Sequence, residues 1–280
     1  MEIAVLENIA AQVRRDIIRM IHGAKSGHPG GSLGCADLLT ALYFQIMDID
    51  PSRFPADGVG EDMFFLSNGH ISAAWYSVLA RRGYFPVSEL GTFRKMGSRL
   101  QGHPTPAEHL PGIRVASGSL GQGLSIAIGA TLAKKANEDP HDVFVLLGDG
   151  ELEEGQNWEA ILFAAAKNVD NLVAIVDYNG KQIDGTTDEV CSLGDLRAKF
   201  ETFNWLVFEI NGNNMKETVS ALSDVKNLLH RGRPVVVLAH TEMGMGVDFM
   251  MGTHKWHGTP PSDEQAREAL LQLPETIGDY

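Results

Sequence analysis

Phe144 to Gly185 read FVLLGDGELEEGQNWEAILFAAAKNVDNLVAIVDYNGKQIDG, and the order of elements inside this stretch decides the fold. Val143 to Leu147 is wholly apolar and closed by Gly148, as a strand buried on both faces would be; Leu172 to Val176 is a second such run. Between them, Glu151 to Asn168 carries Leu152, Trp158, Ile161, Leu162, Ala165 and Ala166 at helical spacing, with acidic residues crowding the first turn. Strand, turn, helix and strand predict a crossover unit whose two strands lie parallel and side by side. Asp149 and Asn179 then leave the carboxyl ends of neighbouring strands, where open α/β sheets bind ligands. A carboxylate, an amide oxygen and a nearby backbone carbonyl are the hard donors that Mg²⁺ or Ca²⁺ accepts, with phosphate and water completing the shell. Gly148 and Gly150 leave room for a diphosphate to approach the backbone. The same Gly-Asp-Gly turn also suits an aspartate that caps the next helix.

Working outward, the chain alternates between the two kinds of element without repeats or low-complexity segments. Residues 3 to 24 are an amphipathic helix, with Ile3, Leu6, Ala10, Val13, Ile17 and Ile21 on one face and Arg14, Arg15 and Arg19 off it. Helices are predicted at Asp37 to Met47, Ile71 to Arg82, Leu124 to Ala136 and Met215 to His230. Strands are predicted at Met63 to Leu66, Ile113 to Ala116, Trp205 to Ile210 and Pro234 to Ala239. The pattern is that of a doubly wound α/β layer with a mostly parallel sheet flanked by helices, in a single domain over residues 1–280.

Composition agrees with a compact enzyme part. With 280 residues, 44% hydrophobic and 21% charged, the chain can bury a substantial core. A net charge of −13 speaks against nucleic acid or an anionic membrane surface as partner, since both demand clustered Lys and Arg. Only Cys35 and Cys191 are present, so neither a disulfide framework nor a zinc site is expected, and a reducing cytoplasm is. No apolar run approaches the roughly 20 residues of a spanning helix, and the N-terminus has acidic residues where a signal peptide would be basic.

The histidines carry the remaining chemistry. His28, His70, His103 and His257 sit in loops flanked by Gly or Pro, where an imidazole can face a cleft and exchange protons at neutral pH. His254 lies near the last of these but reads as a loop bystander, and His22, His109, His141, His230 and His240 read as surface residues.

GDG followed by 28 residues and then Asn179 resembles the cofactor signature of thiamine diphosphate enzymes. SGHPGGSLG at Ser26 to Gly34, LSNGH at Leu66 to His70, QGHP at Gln101 to Pro104, SGSLGQG at Ser117 to Gly123 and WHG at Trp256 to Gly258 follow the order found in transketolases in particular. The resemblance therefore runs from about Ser26 to Gly258, most of the chain. Two places depart from the commonest full-length pattern, GGSLG and the Ser119 of SGSLG where proline often stands, and these look like split, two-gene relatives.

The resemblance implies thiamine diphosphate as cofactor with Mg²⁺ (or Ca²⁺ or Mn²⁺), and transfer of a two-carbon ketol unit from a ketose phosphate to an aldose phosphate. It assigns the metal to Asp149, Asn179 and the backbone carbonyl of Lys181, and the cofactor to His70, Gly118, Leu120, Asp149, Gly150, Glu154, Asn179, Ile183 and His257. His28, His70, His103 and His257 would line the channel to the thiazolium and handle sugar hydroxyls. Glu154 matches a glutamate near the contact between subunits. The family's pyrimidine-binding domain, with the glutamate that activates the cofactor, and its C-terminal domain have no counterpart here. The chain is thus expected to be an N-terminal subunit that self-associates and joins a C-terminal transketolase subunit in an α2β2 heterotetramer. Alternatives are a subunit of a 1-deoxyxylulose-5-phosphate synthase-like or 2-oxo acid dehydrogenase-like enzyme, or a cofactor-binding regulatory module without turnover. The histidines of SGHPG, QGHP and WHG favour sugar chemistry.

Overall fold

The computed structural model describes residues 1–280. Its strands are β1 (Met63–Leu66), β2 (Val143–Gly148), β3 (Leu172–Tyr178), β4 (Lys181–Gln182), β5 (Gly185–Thr186), β6 (Leu206–Asn211) and β7 (Val235–His240). Five of them form one sheet in the order β1-β2-β3-β7-β6, and every neighbouring pair is parallel. β4 and β5 make a separate antiparallel hairpin. The helices are α1 (Ile3–Ala24), α2 (Pro29–Gly34), α3 (Ala36–Ala41), α4 (Ser72–Arg82), α5 (Gly123–Ala136), α6 (Gly155–Ala166), α7 (Thr187–Cys191), α8 (Leu196–Thr202), α9 (Met215–Lys226) and α10 (Asp263–Gln272).

Successive side chains on a strand point to opposite faces, so the apolar runs serve two cores at once. Phe64, Leu66, Phe144, Leu146, Val173, Ile175, Val235 and Val237 join α1, α3, α4 and α9 in the larger one. Met63, Phe65, Val143, Val145, Leu147, Leu172, Ala174, Val176, Val236 and Leu238 join α5, α6 and α8 in the smaller one. This is the doubly wound α/β layer predicted from the sequence. No helix is long and apolar enough to cross a membrane.

Several local expectations change. Ile113 to Ala116 is not a strand: Arg114 commits its guanidinium to Glu61 and lies 4.3 Å over the Phe54 ring, and the segment runs irregularly beside β1. Arg14 is buried, not off the packed face of α1, because Asp37 and the Leu33 carbonyl receive its guanidinium. The helix expected over Glu151 to Asn168 breaks into a 3₁₀ turn, Gly150–Glu153, and α6, with Glu154 between them as N-cap. The helix expected over Asp37 to Met47 is α3 followed by a π-helical turn, Leu42–Ile46. That expected to reach His230 stops at Lys226, and His230 adopts positive φ beyond it. Helices α8 and α10 have no counterpart among the expected elements; their caps, Asp195 and Ser262, accept from backbone N–H three residues on.

Candidate active site

Register places the site. Gly148 at the end of β2 lies opposite Asp177 near the end of β3, and the Asp149 N–H donates to the Asp177 carbonyl at 3.2 Å. The turns that follow these strands converge with the loops after β1 and β7 on a cleft of about 850 Å³, counting the space open to solvent. Such a volume suits a cofactor-sized ligand.

One wall is acidic. The Asp149 carboxylate is buried and accepts from the Gly150 N–H at 2.8 Å and the Gly180 N–H at 2.5 Å. It therefore does both things open to it, capping the turn after β2 and facing the loop after β3. Burial, and next the charge of Asp177, push its pKa up to about 7. Asp177 is fully enclosed and takes hydrogen bonds from the Thr241 hydroxyl and from Asn179 Nδ2, the latter at 3.0 Å. With its NH₂ group held in this way, Asn179 presents its oxygen on the other side, where the Lys181 N–H donates to it at 2.9 Å. The Lys181 ammonium turns away to Glu242 at 3.2 Å.

Opposite the carboxylates stand four imidazoles from four separate loops. His28 precedes α2, His70 lies in a 3₁₀ turn after β1, His103 in the loop before Pro104, and His257 follows the 3₁₀ turn His254–Trp256. His28 lies 5.1 Å from His70, 6.4 Å from His103 and 5.7 Å from His257, centroid to centroid, and His70 lies 5.0 Å from His257. Burial lowers the pKa of all four; for His28 burial, then the charges of His257, Arg94 and His103, bring it to about 4. They are neutral near pH 7 and free to accept a proton. Arg94, in the left-handed region, donates to Ser26 Oγ at 2.8 Å and to the Gly102 carbonyl at 3.3 Å, bracketing the loops of His28 and His103. Gly118 needs its positive φ, and a Cβ there would come within 2.5 Å of the His103 ring.

The structure thus brings together His28, His70, Gly118, Leu120, Asp149, Gly150, Asn179, Lys181, Ile183 and His257 around one cleft. His103 stands against its rim through His28 and Gly118. Glu154 does not line it; it is exposed at the start of α6, with its Cβ facing the backbone of Gly121. Of the surface-assigned histidines, His22, His141 and His230 pair with Asp263, Asp139 and Asp142. Sequence reasoning missed Asp177, Asn68, Met243 and Glu151, which also line the cleft. Asp177 had a signal: a carboxylate ending an otherwise apolar strand, two residues before Asn179. Glu151 was hidden among the acids of a helix start.

Buried polar atoms without partners gather here: His28 Nδ1, His257 Nδ1 and Asn68 Oδ1. Each such atom costs on the order of 1–3 kcal/mol, a cost that a polar ligand relieves.

Comparison with known proteins agrees with this geometry. The model of the transketolase thiamine diphosphate-binding domain family matches residues 6–273. One of the two subunits of an apulose-4-phosphate transketolase from Phocaeicola vulgatus is 38% identical over 99% of this chain and 96% of its own length. A 6-deoxy-6-sulfo-D-fructose transketolase subunit from Clostridium sp. is 38% identical over 96% of both. The transketolase structure from Campylobacter jejuni superposes with a TM-score of 0.89 at 32% identity, covering 98% of this chain and 43% of that one. That from Leishmania mexicana gives 0.89 at 30%, covering 98% and 42%, so the chain spans about two fifths of these solved transketolases. The readings as a deoxyxylulose phosphate synthase or 2-oxo acid dehydrogenase component are not favoured by these matches. The chain belongs to the transketolase family, as its N-terminal, thiamine diphosphate-binding part, and is a subunit of a transferase.

Proposed function

We propose that this chain is a single diphosphate-binding domain that transfers ketol units only when joined to a C-terminal subunit carrying the pyrimidine-binding domain. The observation that carries the reading is the meeting of four neutral imidazoles with a buried carboxylate wall in one cleft. A two-sided site of this kind suits a ligand with an anionic, metal-bound end and a hydroxylated, proton-exchanging end.

The residues present fit the cofactor and its metal. Asp149 and Asp177 bury two carboxylates side by side without a cationic side chain against Asp149, which favours a divalent cation. Asp149, the Asn179 amide oxygen and the Lys181 carbonyl would hold Mg²⁺, and Gly150, Gly118, Leu120, Ile183, His70 and His257 would receive thiamine diphosphate. When bound, the thiazolium supplies the carbon nucleophile and electron sink needed to break the bond between the second and third carbons of a ketose. The chain's own contribution is proton handling: His28, His103 and His257 accept and return protons at sugar hydroxyls, and His70 orients the cofactor end.

Glu154 and the exposed apolar side chains of Leu162 and Phe163 on α6 form a face suited to self-association, and an α2β2 heterotetramer satisfies one such patch on every copy. The Phocaeicola and Clostridium relatives carry the names of transketolase subunits for apulose-4-phosphate and 6-deoxy-6-sulfo-D-fructose, which supports a ketose phosphate or related ketose as donor and a two-subunit enzyme. Two free thiols and the absence of basic clusters fit a cytoplasmic enzyme of carbohydrate metabolism, with pentose phosphates the default substrates and neither nucleic acid nor membrane as partner. Mixing this chain with its C-terminal subunit, thiamine diphosphate and Mg²⁺ should give ketol transfer from a panel of ketose donors. Robust transfer by this chain alone would overturn the proposal.

A further inference from the structure

Glu151 is almost wholly enclosed in the floor of the cleft and has no cationic partner. One carboxylate oxygen accepts from the Ser67 hydroxyl and from the Gly121 N–H at 2.8 Å; the other accepts from the Gly148 N–H at 3.1 Å. Ser67 Oγ in turn accepts from the Gly123 N–H at 3.1 Å. Three segments far apart in sequence therefore meet on one side chain: the residue just past β1, the glycine-rich loop before α5, and the turn after β2. Close approach is part of the arrangement, since a Cβ on Gly123 would fall 2.3 Å from Ser67 Oγ. The same loop continues to Gly118, whose backbone seats the His103 ring, and to Leu120 at the cleft.

We propose that Glu151 is a positioning residue whose carboxylate pins the Gly118–Gly123 loop to the end of β1 and to the Gly148–Gly150 turn, holding the backbone that receives the cofactor in place before the cofactor arrives. This rests on the thiamine diphosphate reading for its consequence, but the pinning itself does not. A salt bridge or an apolar side chain would not serve here. All the groups converging on the carboxylate are donors, and only an ionised carboxylate offers acceptors on both oxygens. Glutamine keeps the shape but turns its NH₂ toward one of the N–H groups whichever way it is rotated, so one donor is always left without an acceptor.

Hydrogen exchange on the full chain without cofactor tests the pinning, and calorimetry with thiamine diphosphate and Mg²⁺ on the assembled enzyme tests its consequence. In Glu151→Gln, the amides of Gly121 and Gly123 should exchange about tenfold faster or more, while those of β2 and β3 keep their protection, as expected for a local opening. The cofactor Kd should rise about tenfold while kcat at saturating cofactor stays within about twofold, because only the preorganisation is lost. Ser67→Ala should show a smaller change confined to the same loop. Unchanged loop exchange, or a uniform acceleration throughout the sheet, overturns the proposal. If Glu151→Gln fails to fold, Ser67→Ala decides alone, and wild-type loop protection there overturns it. Absence of cofactor binding by the wild-type assembly would instead strike the thiamine diphosphate reading and leave the exchange result standing.

Discussion

The rings of His28 and His257 meet edge-on, 5.7 Å apart with their planes at 90°, although they lie far apart in the sequence. Neither Nδ1 has a partner. Rings held by packing and left with a free nitrogen are prepared to exchange protons with a bound molecule.

In the assembled enzyme, His103→Ala and His257→Ala should each lower turnover or donor affinity by roughly the 10²- to 10⁴-fold typical of positioned acid–base groups. Cofactor affinity should change little. Steady-state kinetics with a ketose donor, set beside calorimetry, separates the two effects, and wild-type turnover in both variants would refute the role.

Asp149→Asn should weaken metal-dependent cofactor binding by more than the roughly 10–100-fold that loss of an outer-shell partner brings. Without cofactor, the variant should melt at the same temperature as the wild type or higher, since it removes one of two buried carboxylates that repel each other. Calorimetric titration and a thermal melt of the same sample read both outcomes; intact affinity sinks the metal assignment.

The cofactor-free chain should lose stability as pH falls from about 6.5 to about 4. The folded state holds His28 down to about 4, mainly by burial, while the unfolded chain takes up that proton near 6.5. The unfolded state binds more protons inside that window, so stability rises with pH across it and is level above. Discounted for the partial exposure of the ring, the loss is on the order of 1–2 kcal/mol. Urea melts of wild type and His28→Gln across the window measure it, and equal slopes would discard the assignment.

Purified alone, the chain should run as a self-associated species, and Phe163→Glu on the exposed face of α6 should shift it toward monomer. Light scattering at several concentrations checks this; an unshifted size distribution would move the contact elsewhere.

The sheet was legible because parallel strands buried on both faces have unbroken apolar sequences, and Val143 to Leu147 and Leu172 to Val176 have them. Helix ends were not, because long-range side chains override local periodicity: Glu151 reaches across 84 residues to Ser67 and the helix starts four residues late. The histidines and Asp149 were legible through motif order. Asp177 was not, since nothing within its own strand reveals that Thr241, 64 residues on, will close over it.

The strand order β1-β2-β3-β7-β6 carries a kinetic consequence. Asp142 at the start of β2 reaches back 80 residues to Asp62 beside β1, and β3 must await β7 beyond two further helices and β6. Closing such large loops before any pairing rewards them makes folding slow and leaves strand edges open meanwhile. The cleft exists only once the last of these pairings is made, so its four histidines come together at the end of folding. During synthesis, the nascent chain can capture no ligand at this cleft until His257 has left the ribosome.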